Sequence, residues 1–234
     1  MTFFNSAEPI FRRKQKELDF QDLQGLLHLQ LRLKNTTLLS LSYTRIDQVF
    51  VLWGLMSATI FITAQFAPIS WITQAIWWTI LTIVGTGSTI ALTDFWVKVE
   101  RLRWVLYTWV VLMLVGVGIT DLGIFLGWGL VLMNLCNLWL GLCAVGYFCT
   151  GFGMRSRAFL LSGSLQLLGI AILPYFLGWQ FVATGIIMAA NLLIFAETQW
   201  DMRPPIQDYD LLTPEQKQFN QNQYQLRHYC NHQL

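Results

Sequence analysis

Charge is nearly missing from the middle of this sequence. Only 12% of its 234 residues are charged, whereas 55% are hydrophobic. From Gln48 to Thr93 no charged residue occurs at all, and this stretch is longer than two bilayer crossings at about 20 residues each. The composition excludes an ordinary soluble domain and predicts a chain that crosses a membrane several times.

Acids, bases and histidines are also missing from the centre of every apolar segment. Proton-coupled transporters and pumps usually need an ionisable group at that depth, so a coupled carrier is disfavoured, whereas a facilitator for a neutral solute is not. A membrane-embedded bis-histidine haem site is disfavoured too, because all three histidines lie outside the apolar segments. We therefore expect no cofactor.

The motifs of hydrolases and nucleotide-using enzymes do not occur. There is no HExxH helix, GxSxG elbow or glycine-rich phosphate loop, so we expect no enzyme and no catalytic residue. The four cysteines form no CxxC pair, which favours packing over redox chemistry. His228, Cys230 and His232 alternate in the tail, but a structural zinc site needs four ligands, so we expect no metal site.

What the chain does contain is a regular series of apolar segments. Six are long enough to span a bilayer, so we expect an all-α, polytopic bundle of six transmembrane helices. We place the spans near Val49–Phe66, Trp71–Leu92, Trp104–Thr120, Trp128–Thr150, Ala158–Phe176 and Trp179–Thr198. The chain then divides into an amphipathic N-terminal segment (1–47), the transmembrane domain (48–198) and a C-terminal tail (199–234).

All fifteen Lys and Arg residues fall on one side of this arrangement. Because cationic loops translocate poorly, we expect that side, with both termini, to be cytoplasmic. Tryptophans favour the membrane interface, and six of them stand near the predicted span ends: Trp71, Trp128 and Trp179 on the outer side, and Trp96, Trp104 and Trp200 on the inner side. We expect a bacterial inner membrane, with a thylakoid membrane as the alternative.

The three outer turns resemble one another. Each runs from a Phe to a Trp, over Phe66–Trp71, Phe125–Trp128 and Phe176–Trp179. One interpretation is a threefold repeat of helical hairpins. The other is that a tight turn at the interface simply favours these residue types.

Small residues line several predicted helix faces. Because apolar burial does little to drive association within lipid, such faces are expected to bring helices into close backbone contact. The faces are Thr82, Gly85, Thr86 and Thr89 in span two, Cys143, Gly146, Thr150 and Gly153 in span four, and Gly185 with Ala189 in span six.

Four amide side chains lie deeper within the spans than the others, namely Asn134, Asn137, Gln166 and Asn191. An amide facing acyl chains would leave donors and acceptors unsatisfied, so we expect these four to converge inside the bundle. They would either fix helix register or line a polar path or head-group pocket. Asp121 is the one charge expected near the outer surface, where it either reaches the head groups or contacts a cation or a partner.

The two ends of the chain carry amphipathic patterns. Residues Asp19–Gly25 predict a short helix in the membrane plane. Residues 27–43 fit either a helix or a two-stranded hairpin, because leucines recur at both spacings. In the tail, Thr213 is expected to cap a helix from Pro214 to about His228.

Recognition is expected where the cations cluster, since cationic side chains suit anionic lipid head groups or a protein partner. The candidate contacts are Arg12, Arg13, Lys14, Lys16, Lys98, Arg101, Arg103, Arg155 and Arg157. We therefore expect a non-enzymatic assembly factor, scaffold or accessory subunit that binds membrane lipids and a membrane-protein partner or a second copy, and no nucleic acid. The alternative is a channel or facilitator for a small neutral solute or a lipid, lined by the four amides.

Overall fold

Six long apolar helices dominate the structure, a computed structural model. It describes residues 3–4, 9–14, 17–33, 36–203 and 211–231, apart from the side chains of 29–33, 36–41 and 228–231. The six helices are long and apolar enough to cross a membrane, and the sheets are minor. The predicted all-α, multi-pass architecture is confirmed.

The helices follow the predicted spans closely. They are α2 (Arg45–Phe66), α3 (Trp71–Val99), α4 (Arg103–Phe125), α6 (Leu135–Met154), α7 (Arg157–Ile172, continued by a 3₁₀ turn over Leu173–Phe176) and α8 (Gln180–Glu197). The smaller helices are α1 (Phe20–Leu23), α5 (Gly129–Met133) and α9 (Pro214–Asn231). Helix α3 continues seven residues beyond the predicted boundary at Leu92.

The spanning helices form a closed ring. In order around it, α2 contacts α3, α3 contacts α4, α4 contacts α6, α6 contacts α7, α7 contacts α8, and α8 returns to α2. The most extensive contacts are α2 with α8 and α6 with α7, which join helices of different predicted hairpins. The bundle is therefore not built from three self-contained hairpins, even though each pair of helices joined by an outer turn does touch.

The fourth predicted span is wrong as a single helix. It is divided at Asn134, whose φ of −116° and ψ of 14° separate α5 from α6. The Asn134 amide donates to the carbonyl of Leu130, and such side-chain bonds compete with the helical ladder. Trp128–Met133 consequently forms a short segment of its own before α6 starts.

The N-terminal segment contains strands where the sequence fitted either a helix or a two-stranded hairpin. Two antiparallel strands, β2 (Leu27–Leu33) and β3 (Thr36–Tyr43), pair here with an irregularity between Leu31 and Arg32, which agrees with the two-stranded interpretation. A second two-stranded sheet pairs β1 (Phe11–Arg12) with β4 (Gln199–Trp200), which ties the N-terminal segment to the end of α8. The tail helix is confirmed, with Thr213 and Gln216 bonding each other's backbone in a capping box.

The small-residue face of α6 does not bring its backbone against the backbone of α4. A side-chain carbon added at Gly146 would lie 2.6 Å from the ring of Trp109, and one at Gly153 would lie 2.7 Å from that of Trp104. Both glycines thus provide the space into which a large ring from the neighbouring helix packs. The expectation of close backbone contact is corrected for these positions, since the partner surface is aromatic.

Candidate functional site

The ring of helices encloses an elongated cavity of about 200 Å³, called the lumen below. Its wall is supplied mostly by α2, α3, α4, α6 and α8, with Phe159 of α7 and Trp200 at one end. The two ends of the bundle differ in charge. The cation-rich end carries the N-terminal segment, the loops near Arg101 and Arg155, and the tail, while the cation-free end carries the three turns without Lys or Arg.

Helix α3 contributes a ladder of five threonines to the lumen. They are Thr79, Thr82, Thr86, Thr89 and Thr93, and their alternating spacing of three and four residues keeps them on one helix face. From Thr79 to Thr93 the helix rises about 21 Å at 1.5 Å per residue. The lumen therefore runs along about two thirds of a ~30 Å hydrocarbon core.

Six tryptophans form much of the remaining wall. These are Trp53, Trp78, Trp96, Trp109, Trp139 and Trp200. Several direct the indole N–H to a threonine hydroxyl, as in Trp53 to Thr89 at 2.8 Å and Trp109 to Thr150 at 3.0 Å. The threonine hydroxyls then donate to carbonyls of their own helices, such as Thr89 to Gly85.

These hydrogen bonds make the lumen wall apolar in effect. A hydroxyl that donates to its own helix and accepts from an indole has little left for a ligand. Thr86 is an exception, since its hydroxyl has no hydrogen-bond partner among the described residues. The indole and methyl surfaces that remain suit hydrocarbon rather than water.

The cation-free end of the lumen carries a carboxylate. Asp121, on α4, lines the lumen, and the Thr79 hydroxyl lies 3.1 and 2.9 Å from its two oxygens. One hydroxyl proton cannot satisfy two carboxylate oxygens, so acceptor capacity remains. Asp121 was predicted at the outer surface, but in the structure it also faces the inside of the ring.

The cation-rich end of the lumen is lined by aromatic side chains. Phe159 and Phe195 stack with ring centroids 4.4 Å apart, and Trp200 packs edge-on against both of these rings and against Phe50. Trp96 completes this end, and its indole donates to Asp22 of α1 at 2.9 Å. Trp96 and Trp200, which were predicted at the inner membrane interface, both line the lumen.

Burial raises the pKa of Asp22 to about 7. The nearby carboxylates of Asp19 and Glu100 contribute to this raised pKa, whereas the Trp96 hydrogen bond and the charge of Arg227 lower it. Asp19 also has a raised pKa from burial, partly offset by its ion pair with Arg227. The titratable carboxyl of Asp22 therefore accepts the hydrogen bond that holds the Trp96 indole at the cation-rich end of the lumen.

Ion pairs bind the two ends of the chain to the cation-rich end. We call this set the polar cap, and it consists of Lys14–Asp47, Arg157–Asp201, Arg203–Glu100 and Arg227–Asp19. Its most buried acid is Asp201, which is 0% exposed and accepts from the Ser156 hydroxyl, the backbone of Arg157 and Ala158, and the Arg157 guanidinium. Asp201 thereby caps the start of α7 from a distant part of the chain.

The structure does not bring the four predicted amides together. Asn134 and Asn137 bond each other at the α5–α6 break and remain partly exposed. Asn191 is buried and accepts from Ser162 at 3.0 Å. Gln166 is 0% exposed, and neither its amide nitrogen nor its amide oxygen has a partner among the described residues. The amides lie outside the lumen wall, so the predicted polar path through all four is corrected.

Most predicted recognition cations are engaged within the chain. Lys14 and Arg157 form ion pairs of the polar cap, Lys98 pairs with Asp94, and Arg155 lies over the Phe3 ring. Arg12 and Arg101 also interact within the chain. Arg13 and Arg103 are exposed. Lys16 lies outside the described residues.

Sequence reasoning missed the lumen. The signal was partly visible, since Thr82, Thr86 and Thr89 had been placed on one helix face, but the extension to Thr79 and Thr93 and the tryptophans facing them had not been recognised. A cavity depends on which helices are neighbours, and the hydropathy pattern does not contain that information.

Among the described residues, no three His, Cys, Asp or Glu side chains are grouped to hold a metal ion. Comparison with family models, with curated proteins and with solved structures finds no match to this chain, so its function has to be argued from the lumen and its two ends.

Proposed function

We propose that this protein is a non-enzymatic membrane protein that holds one hydrocarbon chain of a membrane amphiphile inside its helix ring. The observation that carries the proposal is the lumen, which follows the threonine ladder of α3 across most of the bundle. The role corresponds to a lipid facilitator or a lipid-holding accessory subunit.

The dimensions of the lumen support a single chain. Its volume of about 200 Å³ exceeds the ~150 Å³ of an engineered apolar cavity that holds one benzene. Spread over a length of about 21 Å along α3, this volume describes a narrow slot rather than a chamber. A fused-ring ligand or a two-chain lipid in full would be too broad for it.

The chemistry of the lumen disfavours a channel for water or polyols. Such a pore needs a continuous row of hydrogen-bond partners to replace hydration. Here the Trp53–Thr89 and Trp109–Thr150 pairs occupy several of the groups that could serve, and aromatic rings line the cation-rich end. An apolar chain needs no such partners, and it gains contact with the indole faces.

The scaffold hypothesis has less support from the geometry. It relied on cations being available for a partner, and the polar cap engages several of them. Arg13 and Arg103, which are exposed, still suit anionic head groups or a partner surface. By the positive-inside rule, we propose that the polar cap faces the cytoplasm of a bacterial inner membrane or the corresponding side of a thylakoid membrane.

The test is native mass spectrometry of the protein extracted from its membrane in mild detergent. We expect the purified protein to carry one chain-bearing amphiphile per copy. Thr86→Phe should fill the lumen and abolish this bound mass, and the replacement breaks no hydrogen bond of the described residues because the Thr86 hydroxyl has none. Ser57→Leu, at another position of the lumen wall, provides a second variant.

The matched control is Gly87→Phe. Gly87 neighbours Thr86 on α3, but a side chain added there meets nothing within 4 Å. This variant should keep the bound amphiphile. If Thr86→Phe and Ser57→Leu retained the same bound mass as the parent protein, the lumen would not be the binding site. A stoichiometric protein partner with no bound amphiphile would favour the scaffold hypothesis instead.

A further inference from the structure

We infer that the amphiphile held in the lumen ends in a hydrogen-bond donor, a hydroxyl or an ammonium group, which binds to Asp121 and Thr79 at the cation-free end. This inference rests on the proposed function and adds the chemical class of the polar group and its position.

The carboxylate of Asp121 has fewer hydrogen-bond donors around it than it can accept. Thr79 is its one hydrogen-bond partner among the described residues, and the single hydroxyl is shared between both carboxylate oxygens. A carboxylate can accept about four hydrogen bonds, so several positions remain. The turns of this end contain no Lys or Arg, so no cation of these turns can neutralise the charge.

The neighbouring indole donors are bonded elsewhere. Trp139 and Trp78 line the same end of the lumen, but their indoles donate to Thr120 at 3.2 Å and to Thr63 at 3.4 Å. Neither is available to Asp121 in this arrangement. The acceptor capacity of the carboxylate is therefore directed at whatever occupies the lumen beside it.

The difference between the two ends of the lumen fixes the direction of the chain. The other end of the lumen is lined by Trp96, Phe159 and Trp200, whose aromatic surfaces suit an apolar terminus. A polar group is accommodated where the carboxylate lies. Charge repulsion excludes a carboxylate or phosphate at that position, whereas a hydroxyl or an ammonium donates to it.

The experiment measures quenching of tryptophan fluorescence by four probes that share one brominated long chain. The probes end in a hydroxyl, a primary amine, a methyl ester or a carboxylate. The six lumen tryptophans make saturable quenching a direct measure of binding. The proteins compared are the full-length parent, Asp121→Leu, Asp121→Asn and Asp94→Asn. The last is a control for the loss of one acid, because Asp94 lies near the cation-rich end of α3.

We expect the hydroxyl probe, the amine probe or both to bind the parent about tenfold more tightly than the methyl ester, the order expected for a hydrogen bond to a charged acceptor. The carboxylate probe should bind more weakly than the ester. Asp121→Leu should abolish the preference while the ester binds unchanged, which also shows that the variant is folded. Asp94→Asn should behave as the parent does.

Asp121→Asn separates the two donor types. An amide oxygen still accepts from a hydroxyl but carries no charge, so this variant should lose a preference for the amine and keep part of a preference for the hydroxyl. Equal affinity of the parent for the hydroxyl, amine and ester probes overturns the inference and leaves the proposed function intact. If none of the four probes quenches saturably, both are overturned.

Discussion

The polar cap and the lumen handle polar groups in opposite ways. In the polar cap, acids such as Asp201 are buried and matched to several donors from distant parts of the chain. In the lumen, several tryptophans donate to threonine hydroxyls, as Trp53 does to Thr89, and Asp121 has a single shared hydroxyl as its partner among the described residues. The cap therefore holds its polar groups in a paired network, whereas the lumen keeps free acceptor capacity, which the proposed function would use.

The polar cap and the lumen are joined at the cation-rich end through Trp96. Trp96 belongs to the lumen wall, yet its indole is held by Asp22 of the N-terminal segment. The position of the Trp96 ring at this end of the lumen therefore depends on the packing of α1 against α3 and α9. Substitutions in the cap and in the lumen wall should therefore differ in their effects on stability and on probe binding.

The largest effect is expected from Asp201→Ala. It removes the acceptor for Ser156 and for the start of α7, and it leaves the Arg157 guanidinium without its carboxylate. Loss of one partner of a buried pair costs about 3 kcal/mol or more. The measurement is the melting temperature in detergent. Asp94→Ala, which breaks an exposed pair with Lys98, is the control, and an equal melting temperature for both would contradict a structural role of the cap.

A somewhat smaller effect is expected from Gly146→Ala in the lumen wall. The added methyl would lie 2.6 Å from the Trp109 ring, and overpacking of this kind costs about 1–3 kcal/mol. Trp109 should be displaced toward the lumen, so probe binding should weaken together with stability. Gly87→Ala faces open space and should be neutral or slightly stabilising. Parallel behaviour of the two variants would show that the α4–α6 contact is looser than the structure indicates.

A pH-dependent effect is expected from Asp22→Asn. Because the pKa of Asp22 is raised to about 7 in the folded protein, against about 3.9 unfolded, its stabilising contribution is present at low pH and is lost as the pH rises toward 7. The asparagine variant should be more stable than the parent at pH 8, and the difference should shrink toward pH 5. Glu215→Gln, at an exposed acid, should show no such convergence. A pH-independent difference would rule out the titration of Asp22.

The smallest effect is expected from Thr150→Val. This change removes the hydroxyl that accepts from the Trp109 indole at 3.0 Å, and hydrogen bonds between membrane helices average about 0.6 kcal/mol. Thr108→Val is matched to it, because the Thr108 hydroxyl bonds the Trp104 carbonyl of its own helix. A melting temperature for Thr150→Val equal to that of Thr108→Val would show that the tryptophan–threonine pairs do not stabilise the lumen wall.

The spans were predictable because each helix satisfies its own backbone and carries its own apolar residues. The same holds for the tail helix, whose start is predicted locally by Thr213, Pro214 and Glu215. The break at Asn134 was missed, since an asparagine within an apolar run does not reveal whether its side chain bonds its own backbone or another helix. The amide cluster failed for a related reason, because placing Gln166 and Asn191 near Asn134 requires knowing which helices are neighbours.

The candidate site was predictable only in fragments. Part of the threonine face of α3 and the isolation of Asp121 were visible in the sequence, but their common cavity was not. The recognition cations were identified by charge alone, and charge does not tell whether an arginine meets solvent or, as with Arg157, a buried carboxylate 44 residues away.

Composition and the order of charges suffice to establish a six-span membrane helix bundle, because hydropathy and helix length are properties of each segment alone. The ring closure of α2 against α8, the polar cap and the lumen exist only in the folded chain. They depend on which surfaces meet, and contacts such as Asp22 with Trp96 or Thr79 with Asp121 join residues whose sequence neighbours give no indication of the other.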